Sequence, residues 1–600
     1  MSVKGYAKFL LIMAGLGGLL YGVDVGVIAA ALPYIERTST FTQDQIGWIV
    51  GMALWGSLPS SLVAGLLAEV FGRKKMIIAS AALFLISIPV ICASGFFEGG
   101  NFWMMVVGRA LQGAAAGLFG VIVPMYLAEC LDADSRGKGT GMFQLLLTIG
   151  LVFVAVVGFI ITCLFGDAKK VVDPKAVENG IIEYVQKLDE NREPVWADEA
   201  KTSPVYELDE QGQPKPKLDR DGNRIADMKK VTFDMIKSWV SADMIASWVH
   251  AWQLIFLISC IPGFVLFLGA FKLKESARWL YKKGIAFETR VAMMKQFVDK
   301  GEAYLKSVGL DVVAVFSKEK NKLYRCSVKA AEFKSAALTS LAANNGEEKA
   351  KEILAEMIAA DEAAAAEKAR NAAATDSLLQ KKYVIPFILA VVILACNQTT
   401  GINSVLNYTV TIFQKTGMPG AFANVSDVVI KIMNCVMTIV ACTLVDKKGR
   451  KFLLKLGTSG IIVGLCGVGS IFLAISKAWV ASSMVTGVLA TVFFMMFIGF
   501  YAVGPGVCVW LALTELMPTR IRANGMAIAM IINQGVSAGI ATVFPKWCAW
   551  TNDNGSVFFV LAGFTVIYFI TAAFFLPETK GRTLEEVEQY FTTGKMPEKK

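Results

Sequence analysis

The chain has 600 residues; 55% are hydrophobic, only 18% are charged, the formal net charge is +10 and the mean hydropathy is +0.54. A soluble globule of this length would need far more polar surface to cover its core, so a water-soluble enzyme or binding domain is excluded. Nucleic-acid binding is excluded too, because the basic residues sit in short turns between apolar runs, where the positive-inside rule places them.

Apolar runs of about 20 residues recur, each long enough to cross a bilayer core of about 30 Å. They predict spans at 8–31, 46–69, 75–95, 102–126, 139–166 and 251–271. After a polar break come 383–414, 424–445, 452–475, 482–513, 522–546 and 553–576. The first run reads as a helix rather than a cleaved leader, since no small-residue cleavage site follows a short apolar stretch. The expected organisation is all-α. Residues 1–166 hold the first five helices of an N-terminal bundle, 167–250 a polar external insert, 251–271 the sixth helix and 272–382 a cytoplasmic helical insert. Residues 383–576 form a C-terminal six-helix bundle and 577–600 a cytoplasmic tail.

Orientation follows from the turns. Phe71-Gly72-Arg73-Lys74-Lys75, Arg136-Gly137-Lys138, Asp446-Lys447-Lys448-Gly449-Arg450-Lys451 and Arg520-Ile521-Arg522 follow spans 2, 4, 8 and 10, and their positive charge assigns that side to the cytoplasm. An even span count then puts both termini inside. The inserts agree in sign: 167–250 carries 13 Lys/Arg against 17 Asp/Glu, and 272–382 carries 21 against 15. The internal insert is rich in Ala, Glu and Lys over 347–374, which predicts solvated helix. In the external insert, Leu208-Asp209-Glu210-Gln211-Gly212-Gln213 and Leu218-Asp219-Arg220-Asp221-Gly222-Asn223 predict a small β-hairpin. The second stretch lacks the third acid and closing glutamate of a calcium loop, so it reads as surface turn.

The two halves echo each other. Glu69-Val70-Phe71-Gly72-Arg73-Lys74 after span 2 matches Asp446-Lys447-Lys448-Gly449-Arg450-Lys451 after span 8, an acid-x-x-Gly-Arg-Lys turn repeated six spans apart. Such a repeat is the mark of a two-bundle transporter. The eleven cysteines are scattered and there is a single histidine, His250, so no metal centre, disulfide framework or His-based triad is predicted. No phosphate loop or nucleophile–base motif is present either, which leaves no cofactor and no enzyme chemistry to propose.

Polar groups inside spans are costly and mark function by default. Span 7 carries Gln398, Asn403, Asn407 and Tyr408, with Asn403 and Asn407 one turn apart on one face. Such amides can exchange hydrogen bonds with the hydroxyls of a neutral polyol beside an aromatic face. Asp24 lies in mid-span 1, and Arg109 in the outer half of span 4 is its natural partner. Gly504-Pro505-Gly506 interrupts span 10 and reads as a hinge. Lys431 in span 8 either snorkels outward or alters the polar site.

Several local motifs stand beside these features. The motifs are Gly17-Gly18-Leu19-Leu20-Tyr21-Gly22-Val23-Asp24 in span 1 and Pro124-Met125-Tyr126-Leu127-Ala128-Glu129 with Arg136-Gly137 after span 4. Glu275-Ser276-Ala277-Arg278-Trp279-Leu280 follows span 6, Gln398-Thr399-Thr400-Gly401-Ile402-Asn403 lies in span 7, and Pro577-Glu578-Thr579-Lys580-Gly581 follows span 12. Together these features and motifs resemble the sugar porter family of the major facilitator superfamily, most closely its bacterial sugar/proton symporters. The family's Pro-Glu-Ser-Pro-Arg reads Lys274-Glu275-Ser276-Ala277-Arg278 here, its Gln-Gln reads Asn397-Gln398, and the external insert is unusually long.

The resemblance implies a major facilitator fold of two six-helix bundles. It implies sugar contacts at Gln398, Asn403 and Tyr408, and equally at Gln144, Asn434, Trp510 and Asn533, with interhelical packing the rival role for the latter four. Asp24 and Arg109 match the positions that hold an Asp and an Arg in proton symporters, whereas facilitative glucose carriers have an uncharged residue in place of the Asp. Glu69, Arg73, Glu129, Arg136, Asp446, Arg450, Glu515 and Arg522 read as latches that close the cytoplasmic gate when the carrier faces out. The expectation is a monomeric carrier in the cytoplasmic membrane that imports a hexose, pentose or polyol by alternating access with protons. A facilitative uniporter shares the same sugar residues, and a non-transporting sugar receptor is the reading from another class.

Overall fold

The computed structural model describes residues 3–130, 133–187, 189, 195, 197, 204–218, 224–227, 230–307, 317–373, 380–477, 479–518, 521–551, 555–579 and 584–593. The side chains of Arg136, Asp446, Trp510, Glu515 and Arg522 lie outside the described set, as do residues 219–223 of the calcium-loop-like stretch.

Twelve helices are long and apolar enough to cross a membrane. Spans 1 to 5 are α1 (Val3–Thr38), α2 (Gln43–Phe71), α3 (Arg73–Ala93), α4 (Phe102–Cys130) and α5 (Ala133–Phe165). Two short helices, α6 (Ala168–Glu178) and α7 (Phe233–Trp239), belong to the first insert, and α8 (Ala242–Ala270) is span 6. The second insert is helical, as α9 (Ala277–Ser307), α10 (Ser317–Asn345) and α11 (Glu347–Ala373). Span 7 is two helices, α12 (Lys381–Thr399) and α13 (Ile402–Lys415). Spans 8 and 9 are α14 (Gly420–Lys448) and α15 (Arg450–Ser476), and span 10 is again broken, into α16 (Met484–Val503) and α17 (Pro505–Leu516). Spans 11 and 12 are α18 (Arg522–Trp550) and α19 (Gly555–Ile570), and α20 (Leu584–Thr593) follows.

Helix starts are fixed by side chains that satisfy the free N–H groups of a first turn. Thr42 and Gln45 form a capping box at α2, Ser483 and Thr486 another at α16, and Ser241 caps α8. The Ser241 cap explains why span 6 begins nine residues before its apolar run: the amphipathic stretch from Ala242 joins the same helix.

Packing repeats between the halves. Within the first half α1 packs on α5 and α8, α4 on α2 and α3, and α3 on α8. Six spans later α12 packs on α18 and α19, α16 on α14 and α15, and α15 on α19. The halves meet through α2 on α18 and α5 on α14, which exchange under the same repeat. Close approach at the first seam depends on glycine: a Cβ on Gly47 or Gly51 would sit 2.1 or 2.0 Å from Thr542.

The two ends of the molecule differ. One apolar core joins both halves at the end away from the Gly-Arg-Lys turns, through Ile35, Ile49, Ile161, Phe413, Phe494 and Phe544, and continues down the first half to its basic-turn end at Ala68, Met76 and Cys130. At the Gly-Arg-Lys end the second half has a core of its own, with Val445, Leu453, Val503, Leu516 and Tyr568. Hydrogen bonds between the halves cluster at the shared end. Trp55 donates to Thr542 Oγ1 at 3.2 Å, Asn424 to Thr162 Oγ1 at 3.1 Å, and Lys546 to Asp44 at 3.3 Å. Among the described residues the bundles are therefore joined by hydrogen bonds at that end and not at the basic turns.

The first insert is small antiparallel pairing between two helices. Ile182 pairs with Ala226, Tyr184 with Pro216, Gln186 with Tyr206, Leu208 with Pro214 and Leu218 with Arg224. The turn after Leu208 closes as its Asp-x-x-Gly pattern requires, with Asp209 accepting from the N–H groups of Gln211 and Gln213 and Gly212 at φ 77°. Its two ends are tied to the spans: Lys237 pairs with Glu98, and Lys169 Nζ donates to Gln414 O at 2.8 Å.

Candidate translocation site

Span 7 breaks at Gly401, whose φ of 79° is open to glycine at no steric cost. A Cβ there would also meet Leu561 of α19 at 2.6 Å. The break turns the amide groups on either side of it into one cluster. Asn403 Nδ2 donates to Gln398 Oε1 at 3.0 Å and to Ser537 Oγ at 2.7 Å, and Gln398 Nε2 donates to Asn533 Oδ1 at 3.3 Å. Three residues expected at the sugar site, from spans 7 and 11, thus come together, and Ser537 joins them unforeseen. Asn407 is buried with its Oδ1 unpartnered among the described residues. Tyr408 donates to Ala541 O at 3.3 Å and stacks on Phe544 at 5.3 Å. Gln144 and Asn434 are half-buried on α5 and α14 and do not join the cluster.

Asp24 and Arg109 meet, loosely. Their closest N–O distance is 3.5 Å, with Asp24 4% and Arg109 1% exposed. Arg109 Nη1 makes its shorter bond to Gln112 Oε1, at 2.6 Å. Arg109 Nε and Gln112 Nε2 are buried without partners among the described residues. Gln112, one turn along the same helix, shares the guanidinium with Asp24, so losing the aspartate's charge would not strand the cation. The signal was available in the i,i+3 spacing.

At the basic-turn end one expected latch pair, Arg73 with Glu129, forms inside its own half. Arg73 Nη2 bonds Glu129 at 2.8 Å and its Nη1 bonds Ala68 O, at the end of α2, at 3.1 Å. Glu129 also accepts from Ser276. Glu69 is exposed, and its carbonyl accepts from Trp279 Nε1 at 2.7 Å. The acids after spans 6 and 12 have matching roles that sequence reading missed. Glu275 accepts from the N–H groups of Arg73 and Lys74 at 2.8 and 3.0 Å, and Glu578 from those of Arg450 and Lys451 at 3.1 and 3.2 Å. Each carboxylate caps the positive end of the third helix in its half. Gly72 at φ 98° and Gly449 at φ 88° make the approach possible, since a Cβ would lie 2.3 Å from Glu275 and 2.6 Å from Glu578. Span 10 breaks where expected: α16 ends at Val503, Pro505 opens α17, and Gly504 packs on the backbone of Leu453 and Gly457.

The joined end carries its own charges. Asp167 caps α6 and accepts from Gly420 N across the seam, beside the Lys169 bond to Gln414 O. Burial raises the Asp173 carboxyl above its ordinary pKa, against the pull of Lys169 and Arg37, and Asp167 adds to the rise. Lys431 does not snorkel: it is fully buried and pairs with Asp427, also fully buried, at 2.6 Å.

The family model described as "Sugar (and other) transporter" matches residues 10–170 and 325–591, well over half the chain. The chain belongs to this sugar porter family. It is thus a multi-pass membrane transporter rather than an enzyme. The probable metabolite transport protein CsbC of Bacillus subtilis (strain 168) is 24% identical over 98% of this chain and 95% of that protein. The D-xylose transporter of Levilactobacillus brevis is 23% identical over 97% and 94%. Among solved structures, the xylose transporter XylE from E. coli in a partially occluded inward-open conformation aligns with a TM-score of 0.62. It shares 20% identity and covers 96% of this chain and all of that one. The proton:xylose symporter XylE bound to 6-bromo-6-deoxy-D-glucose aligns at 0.60, with 20% identity and 98% and 99% coverage. The fold is that of the major facilitator superfamily.

Proposed function

We propose that this protein imports a monosaccharide (a hexose, pentose or polyol) by alternating access, driven by protons, in the cytoplasmic membrane. The observation that carries the substrate is the amide and hydroxyl cluster Gln398–Asn403–Asn533–Ser537 at the break in span 7. It offers donors and acceptors side by side, as a polyol needs, and no net charge. Discontinuous helices beside a mid-membrane site are a recurrent means of building such a cavity. The D-xylose transporter among its relatives supports the substrate class.

Proton coupling rests on Asp24 and Arg109. Asp24 is held by one long contact in an apolar span, and Gln112 is in place to keep Arg109 bonded when Asp24 takes a proton. Protonation would then release the ion pair at small cost and free the bundles to rock. The proton:xylose symporter that shares the fold fits this reading. With the basic turns cytoplasmic, both termini and the second insert are inside and the first insert is outside. The joined end is then the outer gate, and the carrier faces inward. The chain functions as a monomer, each bundle supplying half of the path.

The test is labelled-sugar uptake into proteoliposomes across a hexose, pentose and inositol panel. Gln398→Ala, Asn403→Ala and Asn533→Ala should each raise KM by about tenfold, one buried hydrogen bond's worth, on the sugar that is carried. Transport of no sugar in the panel, or wild-type KM in all three variants, would overturn the substrate reading.

A further inference from the structure

The inner face of α14 holds charges that the transport reading above does not use. Val425, Val429, Ile432, Val436 and Ile439 are all exposed and form one stripe of that helix, the lipid-facing one. At 100° per residue, Asn424, Asp427, Lys431, Asn434 and Thr438 fall on the opposite face. They make a ladder from the outer seam, where Asn424 meets Thr162, down to the candidate sugar contact Asn434. Asp427 stands about 10 Å above Asn434 along the helix.

Asp427 Oδ2 takes one of the three N–H donors of Lys431, and Asp427 Oδ1 is buried without a partner among the described residues. The Thr409 hydroxyl on α13 lies within bonding reach of the Asp427 carboxylate, but its one proton is directed to the carbonyl of Val405 at 2.7 Å. Among the described residues the pair therefore presents a charged acceptor with bonding capacity left, next to a cation that makes one bond of a possible three. A buried ion pair is poor at stabilising a fold and is replaced by apolar residues at little or no loss. A hydroxyl group fits the vacancy in bonding: it donates to Oδ1 and accepts from Nζ, and both bonds are charge-assisted.

We infer that Asp427 and Lys431 form an outer sugar subsite, which binds a substrate hydroxyl when the carrier faces out and passes the sugar down the α14 ladder. The inference rests on the sugar reading and on the orientation given above. In the inward-facing form the α5–α14 seam seals the subsite from the outside, so it serves entry and not release.

The experiment compares KM in right-side-out and inside-out vesicles for the wild type, Asp427→Asn, Lys431→Met and the apolar pair Asp427→Leu/Lys431→Met, with melting temperature in detergent as the fold control. Loss of a charge-assisted hydrogen bond should raise the outer KM about ten- to a hundredfold in every variant that folds, and leave the inner KM unchanged. Wild-type KM on both faces, or an equal rise on both, would make the pair structural and overturn the inference. Monodeoxy analogues of the transported sugar decide the matter on the wild-type protein alone. At least one should lose affinity from the outside only, and losses that are equal on both faces for every analogue would contradict the subsite. If the wild type carries no sugar, the substrate reading falls and the subsite with it. If it carries sugar and the outer KM does not move, only the subsite falls.

Discussion

Glu275 and Glu578 each hold a tight turn by accepting two backbone N–H groups through a gap that only a glycine leaves. Two consequences can be measured at this scale. Gly72→Ala forces a Cβ onto the Glu275 carboxylate at a positive φ, a strain on the order of 1–3 kcal/mol, and should lower the melting temperature in detergent. Glu275→Ala removes the cap and should cost about 1–2 kcal/mol, while Glu69→Ala, at an exposed carboxylate, should be neutral. A Gly72→Ala protein as stable as wild type would show that the turn has another conformation available to it. Gln112 makes a different contribution, holding Arg109 where Asp24 reaches it only at 3.5 Å. Gln112→Leu should therefore tighten the ion pair and slow turnover more than it changes sugar KM; an unaltered turnover rate would remove Gln112 from the account.

Two of the twelve spans are broken, and the breaks have different legibility. Gly504-Pro505-Gly506 announces itself, because proline removes a donor and clashes in a helix interior. The break at Gly401 was read as continuous helix, since an isolated glycine is tolerated there and only the packing of Leu561 shows why no Cβ fits. Gly401→Ala should accordingly impair transport at normal membrane insertion, and a wild-type rate would show that the break is incidental. The spans themselves are legible because each is an apolar run of bilayer length, and their true ends are not, because mixed stretches at 32–38 and 242–250, interrupted by Glu36, Arg37, Asp243 and His250, continue the helix past the apolar run. In the site, Gln398, Asn403 and Asn533 were readable as amides out of place in apolar spans. Ser537 was not, as a serine in a membrane helix usually bonds its own backbone. Asp427 lay four residues before the conspicuous Lys431, and the i,i+4 relation would have paired them from sequence alone.

At the scale of the whole molecule, the core shared by both halves at one end and the separate core of the second half at the other make a carrier joined at the seam away from the basic turns, the outer gate in the proposed orientation. The first insert belongs to that seam through Asp167 and Lys169, so its opening must break bonds that the insert supplies. Asp173 sits half-buried in the field of Lys169 and Arg37 at the seam, so the seam is expected to respond to pH. Its pKa is raised by burial, so its contribution is fully present below the ordinary aspartate value of 3.8 and is lost as pH rises through the raised one. Spin-label distances across α5 and α14 should show the seam opening more often as pH rises through that range, and Asp173→Asn should remove the trend. The central claim is that inward proton flow drives sugar uptake through Asp24. The direct measurement is sugar accumulation in proteoliposomes under an inward proton gradient, for wild type and Asp24→Asn. The wild type should accumulate sugar above equilibrium, and Asp24→Asn should not, with sugar exchange preserved. Wild-type uptake that only equilibrates, whatever the gradient, would contradict coupling and leave a facilitative carrier.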